Sequence, residues 1–371
     1  MADALGTPIQ GVTLYSFTRA FHARQYDLEG LIRRVAEIGF GPGLEIVGFQ
    51  SFRGFPKVDD AFVGWFRDLV ESVDLVPTTL SINTDVGIRR DRLLTGEELV
   101  EYMRPQIETA SRLGFRMARV QISLTPDDME KLLPVAEQYG VTLALEVHAN
   151  EHGRADAILR LRDRYEELAS PLLGFTADWG ATVVGFAPSA LEAYRRRGAS
   201  DELLEAVVDL WHRYHREGPP NNPVEHGGRF GAYMQLAAQH GRPDLGIDFA
   251  INGTGLFGPA PIDSWFEILP WIRHVHGKFF GIDESGEEPS VPVRDLIRQL
   301  IEAGYSGAVS TEYEGWHWNH WQDAFDIVAG VQKVQRSAAE QAGSRMITDA
   351  GEARQVLADH LARARTLVGD R

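Results

Sequence analysis

Four stretches of the chain end apolar runs with polar side chains. LALEVHAN (143–150) carries Glu146 and His148, and FTADWG (175–180) carries Asp178. HVHGKF (274–279) carries His274, His276 and Lys278, and VSTEYE (309–314) carries Glu312 and Glu314. Along an extended strand, residues two apart share a face, so Glu146 and His148 aim the same way, as do His276 and Lys278. Carboxylates gathered under low dielectric repel one another and take up protons. A divalent cation removes that conflict by bonding the oxygens directly. A mixed set of carboxylates and imidazole suits Mn²⁺, with Mg²⁺, Co²⁺ or Zn²⁺ as alternatives. On this reading Glu146 is a ligand, and His148, one step nearer the strand end, faces a substrate. Taken singly, each carboxylate has a plainer role as a helix cap or ion-pair partner. His274 shares a face with His276, and either could be a satisfied core histidine. Glu314 competes with Glu312 in the same way. Lys278 either pairs with a carboxylate or stabilises a substrate oxygen, and the second role is preferred.

These groups meet only if the strands that carry them end at one place. Short β-rich runs alternate with amphipathic segments along most of the chain. The strand candidates are 11–18, 43–49, 77–84, 116–123, 141–148, 172–180, 272–282 and 307–315. Helical sequence follows each of them. Asp27 reads as an N-cap and Gly39 as a stop for the first helix, and Pro105 is expected to kink or break the helix at 95–114. Alternating β and α units imply a parallel sheet, and eight of them favour a (β/α)₈ TIM barrel, an α/β fold whose strand ends converge on one mouth. No GxGxxG follows the first strand, so a dinucleotide-binding sheet lacks its main support. A single domain over 1–371 is expected, with a barrel core at about 10–335, an insertion after strand 6 at about 183–270, and a C-terminal helical extension at about 338–371. Within the insertion, PPNNPVEHGGRFG reads as a loop. GTGLFGPAP reads as a surface connection in preference to a lid or a docking surface. Tyr15, Phe17, Trp179, Trp316 and Trp318 stand near the mouth, where packing outweighs a platform role.

The composition narrows the class further. The 371 residues hold no cysteine, which excludes thiolate metal sites, thiol nucleophiles and disulfides. That absence suits a reducing cytosol, and with no signal-peptide pattern at the start a cytoplasmic location is expected. A net charge of −16 argues against nucleic acid and anionic membranes as partners. No apolar run approaches the ~20 residues of a membrane span.

LEVH, FTADWG, HVHGKF and VSTEYE, in that order, resemble the xylose-isomerase-like barrel superfamily of sugar isomerases, epimerases and lyases. The resemblance covers most of residues 10–335. It implies one divalent ion held by Glu146, Asp178, His276 and Glu312. The chain departs from the sugar 3-epimerase pattern at Ala181, where those enzymes carry His, and at Ile282, where they carry Arg. The opening GVTLYSFTRAFHARQYDLEGLIRRVAEIGFGPGLEIVGF, the extra helices and the 183–270 segment are similar to the α subunit of bacterial C-glycoside deglycosidases. That likeness implies a carbon–carbon lyase acting on a 3-keto-sugar C-glycoside, with a small β subunit as partner in a hetero-oligomer. His148 would remove the proton beside the carbonyl, and the electrons would expel the aromatic group. On the alternative reading, a keto-sugar isomerase or 3-epimerase, Glu146 and Glu312 exchange protons on opposite faces of the substrate. A related dehydratase would need the same metal set. The catalytic candidates are thus His148, Glu146, Glu312 and Lys278.

Overall fold

A computed structural model of the chain describes residues 5–121, 124–149, 151–220 and 222–369, with side chains described as far as residue 360. Eight parallel strands close into a barrel in sequence order. They are β1 (Ile9–Thr13), β2 (Gly43–Val47), β3 (Val76–Ile82), β4 (Met117–Val120), β5 (Thr142–Val147), β6 (Leu173–Asp178), β7 (Ile272–Phe279) and β8 (Ala308–Tyr313). The expected (β/α)₈ architecture is the observed one.

Alternation along the strands sorts the side chains. On β5 Leu143, Leu145 and Val147 are buried on the outward face against the helices, and Glu146 points inward. The helices form where local signals allow. Asp27 accepts from Gly30 N to cap the helix Leu28–Ile38, and Gly39 ends it at φ +85°, in the left-handed region open to glycine. Leu31, Ile32 and Val35 are the buried stripe of that helix.

One irregularity matters for the site. Between β6 and β7 the pairing shifts by one residue after Phe175, so that Asp178 stands opposite His276. Without the shift its partner would be Val275, whose side chain faces the helices. A single extra residue re-aims a whole strand end.

Several expectations change in detail. The first strand stops at Thr13, and Leu14–Phe17 form a 3₁₀ turn started by the Thr13 hydroxyl accepting from Tyr15 N. Pro105 lies inside the unbroken helix Gly96–Leu113, so the chain is not broken there. The segment read as a loop from Pro219 is largely the helix Pro223–Gln239. Asn222 caps it by accepting from Val224 N and Glu225 N, and Pro223 occupies the first turn, where its missing N–H costs nothing. The GTGLFGPAP segment is a packed element, not a surface connection. Phe257 is fully buried and its carbonyl accepts from Trp211 Nε1, and Gly258 N donates to Gly180 O. Buried residues of the 183–270 segment, among them Tyr194, Leu203, Trp211 and Tyr233, belong to the same apolar cluster as the barrel. The chain ends in the helices Ala324–Gln341 and Ala350–Gly369, so the expected extension begins inside the first of them. Ile122 and Ser123 of the expected fourth strand, Asn150 after the fifth and the last two residues of the extension lie outside the described residues.

Candidate metal centre at the barrel mouth

β5, β6, β7 and β8 bring their terminal polar residues to one point. His276 is at its centre, almost fully buried. Its Nδ1 lies 2.8 Å from Glu146 Oε1, 3.1 Å from Glu312 Oε2 and 3.9 Å from Asp178 Oδ2. The ligand atoms of Glu146, Asp178 and His276 all lie within 4.8 Å of one another. Asp178 is oriented by its own backbone, because Oδ1 accepts from Gly180 N at 2.7 Å and Oδ2 is left facing the cluster.

The state of the imidazole follows from its other nitrogen. Nε2 is 2.8 Å from Glu45 Oε1, and a carboxylate can only accept, so Nε2 carries the hydrogen. In the neutral ring Nδ1 then presents a lone pair to Glu146 Oε1 and Glu312 Oε2, which oppose it whenever both carboxyls are ionised. That buried atom has no hydrogen-bond partner, and neither does Glu312 Oε2. Lone pairs aimed at one another need something positive between them, and the donor set is that of a divalent cation. The residues therefore fit a metal ion. In its absence a proton substitutes: the surrounding carboxylates outweigh the opposing effect of burial and hold the His276 imidazole well above its ordinary range. Burial, with the neighbouring Asp178 and Glu314 carboxylates, pushes the Glu312 carboxyl up to about 8.

Glu45 is the residue that inspection of strand ends missed. Its Oε1 accepts from His276 and from Ser81 Oγ at 2.6 Å, and its Oε2 from His274 Nε2 at 2.9 Å. The remaining His274 nitrogen is 3.2 Å from the Thr79 hydroxyl, so His274 is the satisfied histidine and His276 the one with a buried nitrogen left over. Burial alone would raise the Glu45 carboxyl, but the two histidines hold it well below the usual range. A carboxylate behind a ligating histidine fixes its tautomer and strengthens it as a donor. The cluster Glu45–His274–His276 is thus a clamp for the ligand and needs no ion of its own. Arg119 of β4 was missed too. Its guanidinium, 3.7 Å from Glu146 Oε2, leaves buried Nε and Nη1 without hydrogen-bond partners toward the cavity. Both residues had the signal already used elsewhere, a lone charge in an apolar strand, in GLEIV and MARV.

Lys278 is almost fully buried, with Nζ 2.7 Å from Asp178 Oδ2 and 2.6 Å from Glu314 Oε2. It takes the pairing role that the sequence reading ranked second. Burial would lower its ammonium, but Asp178, Glu312 and Glu314 raise it well above the ordinary range. Its Nζ is also 3.1 Å from His148 Nε2, which fixes that nitrogen as an acceptor. His148 follows β5 with its side chain about a quarter exposed, and its Nε2 is 3.8 Å from Asp178 Oδ2. A cavity of about 670 Å³ opens above these groups and is lined by Arg119, Glu146, His148, Lys278 and Glu312, with Tyr15 at its edge. Of the aromatics expected near the mouth, Phe17 and Trp179 are core. Tyr15 packs edge-on against Trp316, and its hydroxyl reaches Glu314 Oε1 at 3.5 Å and His317 Nε2 at 3.3 Å.

No protein-family profile matches the chain. Individual relatives do. The chain is 74% identical to a C-glycoside deglycosidase α subunit of Arthrobacter globiformis, covering 97% of this chain and 98% of that one. It is 69% identical to one from Microbacterium trichothecenolyticum, over 95% of this chain and 96% of the other. The chain belongs to the C-glycoside deglycosidase α-subunit family. A family member from a Microbacterium species, a 3'-dehydrocarminate deglycosidase α subunit, is 47% identical over 90% of this chain and 96% of its own. Among solved structures, a xylose isomerase domain protein from Planctomyces limnophilus matches with a TM-score of 0.50 and 12% identity, over 92% of this chain and 99% of that one. The IOLI protein, with a bound zinc atom, matches with a TM-score of 0.51 and 13% identity, over 89% and 98% of the two chains. At these identities the structures show that this chain shares their barrel fold. Among the described residues, no helix is long and apolar enough to cross a membrane.

Proposed function

We propose that this chain is the α subunit of a divalent-metal-dependent lyase that cleaves the carbon–carbon bond between a 3-keto-sugar and an aromatic aglycone. The observation that carries the metal dependence is the His276 Nδ1 lone pair facing Glu146 and Glu312. The substrate class is supported by the family and by the relative named for 3'-dehydrocarminate. Glu146, Asp178, His276 and Glu312 would hold the ion, with Mn²⁺ preferred. Such an ion, when bound, acts as a Lewis acid that makes the C–H beside a carbonyl more acidic.

The remaining work falls to the chain's own groups. His148 Nε2 takes the proton from carbon 2, acting as the general base. Lys278 donates to that nitrogen until substrate arrives and so keeps it free of hydrogen. Asp178 Oδ2, 3.8 Å away, stabilises the ring once it is charged. The electrons of the broken C–H bond form a double bond between carbons 1 and 2. The C1–aryl bond breaks with its pair, and the leaving carbon takes up one proton. Nothing is oxidised or reduced. Arg119, which lines the metal-facing cavity, would bind sugar oxygens. The name shared by the relatives supports a small β subunit as partner. The isomerase reading rests on fold alone, and Ala181 and Ile282 replace the groups expected of a ketose epimerase.

The test gives the manganese-loaded protein a 3-keto C-glycosyl flavone and a free ketohexose. Release of flavone from the first alone supports the lyase. Exchange of the sugar C–H with solvent in the second alone replaces it with an epimerase.

A further inference from the structure

A second cavity, of about 710 Å³, adjoins the metal-facing one. The two share three lining residues, Tyr15, His148 and Glu314. One wall of the second cavity comes from the 183–270 segment, through Tyr194, Ile251 and Leu256, and the opposite wall from the loop after β8, through Trp318 and Trp321. We infer that this second cavity is the binding site for the aromatic aglycone, an inference that rests on the lyase reading.

The first argument is chemical division. The metal-facing cavity is lined by Arg119, Glu146, Lys278 and Glu312, groups that suit a polyhydroxylated sugar. The second adds indole, phenol and aliphatic surface to charged groups such as Arg197 and Asp248. Ile251, 46% exposed, lines this cavity beside the buried Tyr194. Apolar surface left open inside a cleft marks a place for an apolar ligand. The platform is also held rigidly. Trp318 stacks on Phe280 with ring centres 5.9 Å apart and donates from Nε1 to Ser189 Oγ at 3.0 Å. Trp321 lies under the Arg196 guanidinium, 4.0 Å from its ring centre. Asn252 Nδ2 donates to Tyr194 OH at 2.6 Å, which satisfies the polar atoms of that wall.

The second argument is position. A C-glycoside has one polar half and one flat aromatic half, joined at carbon 1. A molecule that fills both cavities must place that bond where they meet. The meeting point is formed by Tyr15, His148 and Glu314, and His148 was assigned as the base for carbon 2 from different distances. The carbon that loses its proton is the neighbour of the carbon that loses the aryl group, so the two assignments agree. Arg196, His317 and His320 at the rim favour an aglycone that carries phenolic or anionic oxygens.

The probe is a free hydroxylated flavone, followed by quenching of tryptophan fluorescence, which requires no metal. The wild-type chain is expected to bind it, and Leu256→Arg and Trp321→Ala each to weaken binding about tenfold. In turnover of the 3-keto C-glycosyl flavone, the same variants are expected to raise KM by a similar factor and to lower kcat less. Val224→Ser, at an 84% exposed position outside the cavity, should bind flavone as the wild type does. Trp321→Ala removes bulk without inserting a charge and so keeps the test valid if Leu256→Arg fails to fold. Equal flavone affinity in the wild type and both cavity variants, or no binding by the wild type, overturns the assignment. A wild type that binds flavone in this cavity but releases none from the 3-keto C-glycoside sinks the lyase reading and keeps the aromatic site.

Discussion

Replacing Glu45 by Gln tests the metal centre without touching any of its proposed ligands. Glu45 receives three hydrogen bonds, from His276 and Ser81 on Oε1 and from His274 on Oε2. Glutamine can keep its carbonyl toward His276 and Ser81. Its NH₂ then faces His274 Nε2, so His274 must move its hydrogen to Nδ1, where the Thr79 hydroxyl can accept it. The geometry survives, and what is lost is the negative charge behind His276. Carboxylates in this position are worth about 10- to 100-fold in metal affinity. Because an amide still holds the ring, the lower end is expected, about tenfold or about 1.4 kcal/mol. Glu45→Leu should cost more than a hundredfold and also destabilise the fold, because two buried imidazole N–H groups lose their acceptor at about 1–3 kcal/mol each. Calorimetric titration of the metal-free chain with Mn²⁺ gives the affinities, and thermal unfolding separates them from loss of structure. Glu45→Gln that binds Mn²⁺ as tightly as the wild type would refute the reasoning, since His276 Nδ1 could not then be a ligand whose strength Glu45 sets.

Other perturbations reach different parts of the design. His148→Ala should lower turnover at least ~100-fold while Mn²⁺ affinity stays within about twofold of the wild type; loss of the metal instead would make His148 a ligand. Removing metal with a chelator should abolish turnover and lower the unfolding temperature, and Mn²⁺ at a hundred times its Kd should restore about 2.7 kcal/mol of stability. Unchanged unfolding with and without Mn²⁺ would mean that no such ion binds the native state. Lys278→Met leaves the buried Asp178 and Glu314 carboxylates without their shared cation and should cost about 3–5 kcal/mol in denaturant unfolding. A cost under about 1 kcal/mol would show that the pairing is dispensable. Gly258→Ala places a methyl 2.7 Å from Ala149 O and Ala181 O and should cost about 1–3 kcal/mol, whereas a mobile lid would absorb it freely.

The site was legible in the sequence where a polar residue interrupts the end of an apolar strand, because alternation then dictates which way it points. Glu146, Asp178, His276 and Glu312 converge for that reason. Glu45 and Arg119 carry the same signal on β2 and β4, but on those strands a single charge reads equally well as an edge or a cap, and only closure of the barrel turns them inward. The choice of His276 over His274 came from the family resemblance and not from strand alternation. They share a face, and the difference is made by the Thr79 hydroxyl, which arrives from a strand nearly two hundred residues earlier. The one-residue shift that sets Asp178 opposite His276 left no mark in the sequence, since it depends on how β6 and β7 pair. The two elements misjudged outside the barrel share another cause. Pro223 and the Gly-rich run near residue 257 look like loop chemistry, yet a proline in a helix's first turn is harmless, and glycines also serve close packing.

The charge balance of the lumen indicates what this arrangement is for. Glu45, Glu146, Asp178, Glu312 and Glu314 are all buried, and only Arg119 and Lys278 among their neighbours carry permanent positive charge. An apolar lumen in a barrel of this size would fold at least as well, since replacing buried ion pairs by packed side chains is often neutral or stabilising. Ionising all five carboxyls beside two permanent cations would set the fold against its own repulsion, which is why the His276 imidazole and the Glu312 carboxyl are both pushed toward holding a proton. Hydrogen bonds explain only part of the set: they satisfy Glu45 and orient Asp178, but leave His276 Nδ1 and Glu312 Oε2 without a hydrogen-bond partner. Part of the unpaired remainder falls on one imidazole nitrogen and the carboxylate oxygens around it, Asp178 Oδ2 and Glu312 Oε2. An imidazole nitrogen among carboxylate oxygens is the donor set that a cation site requires.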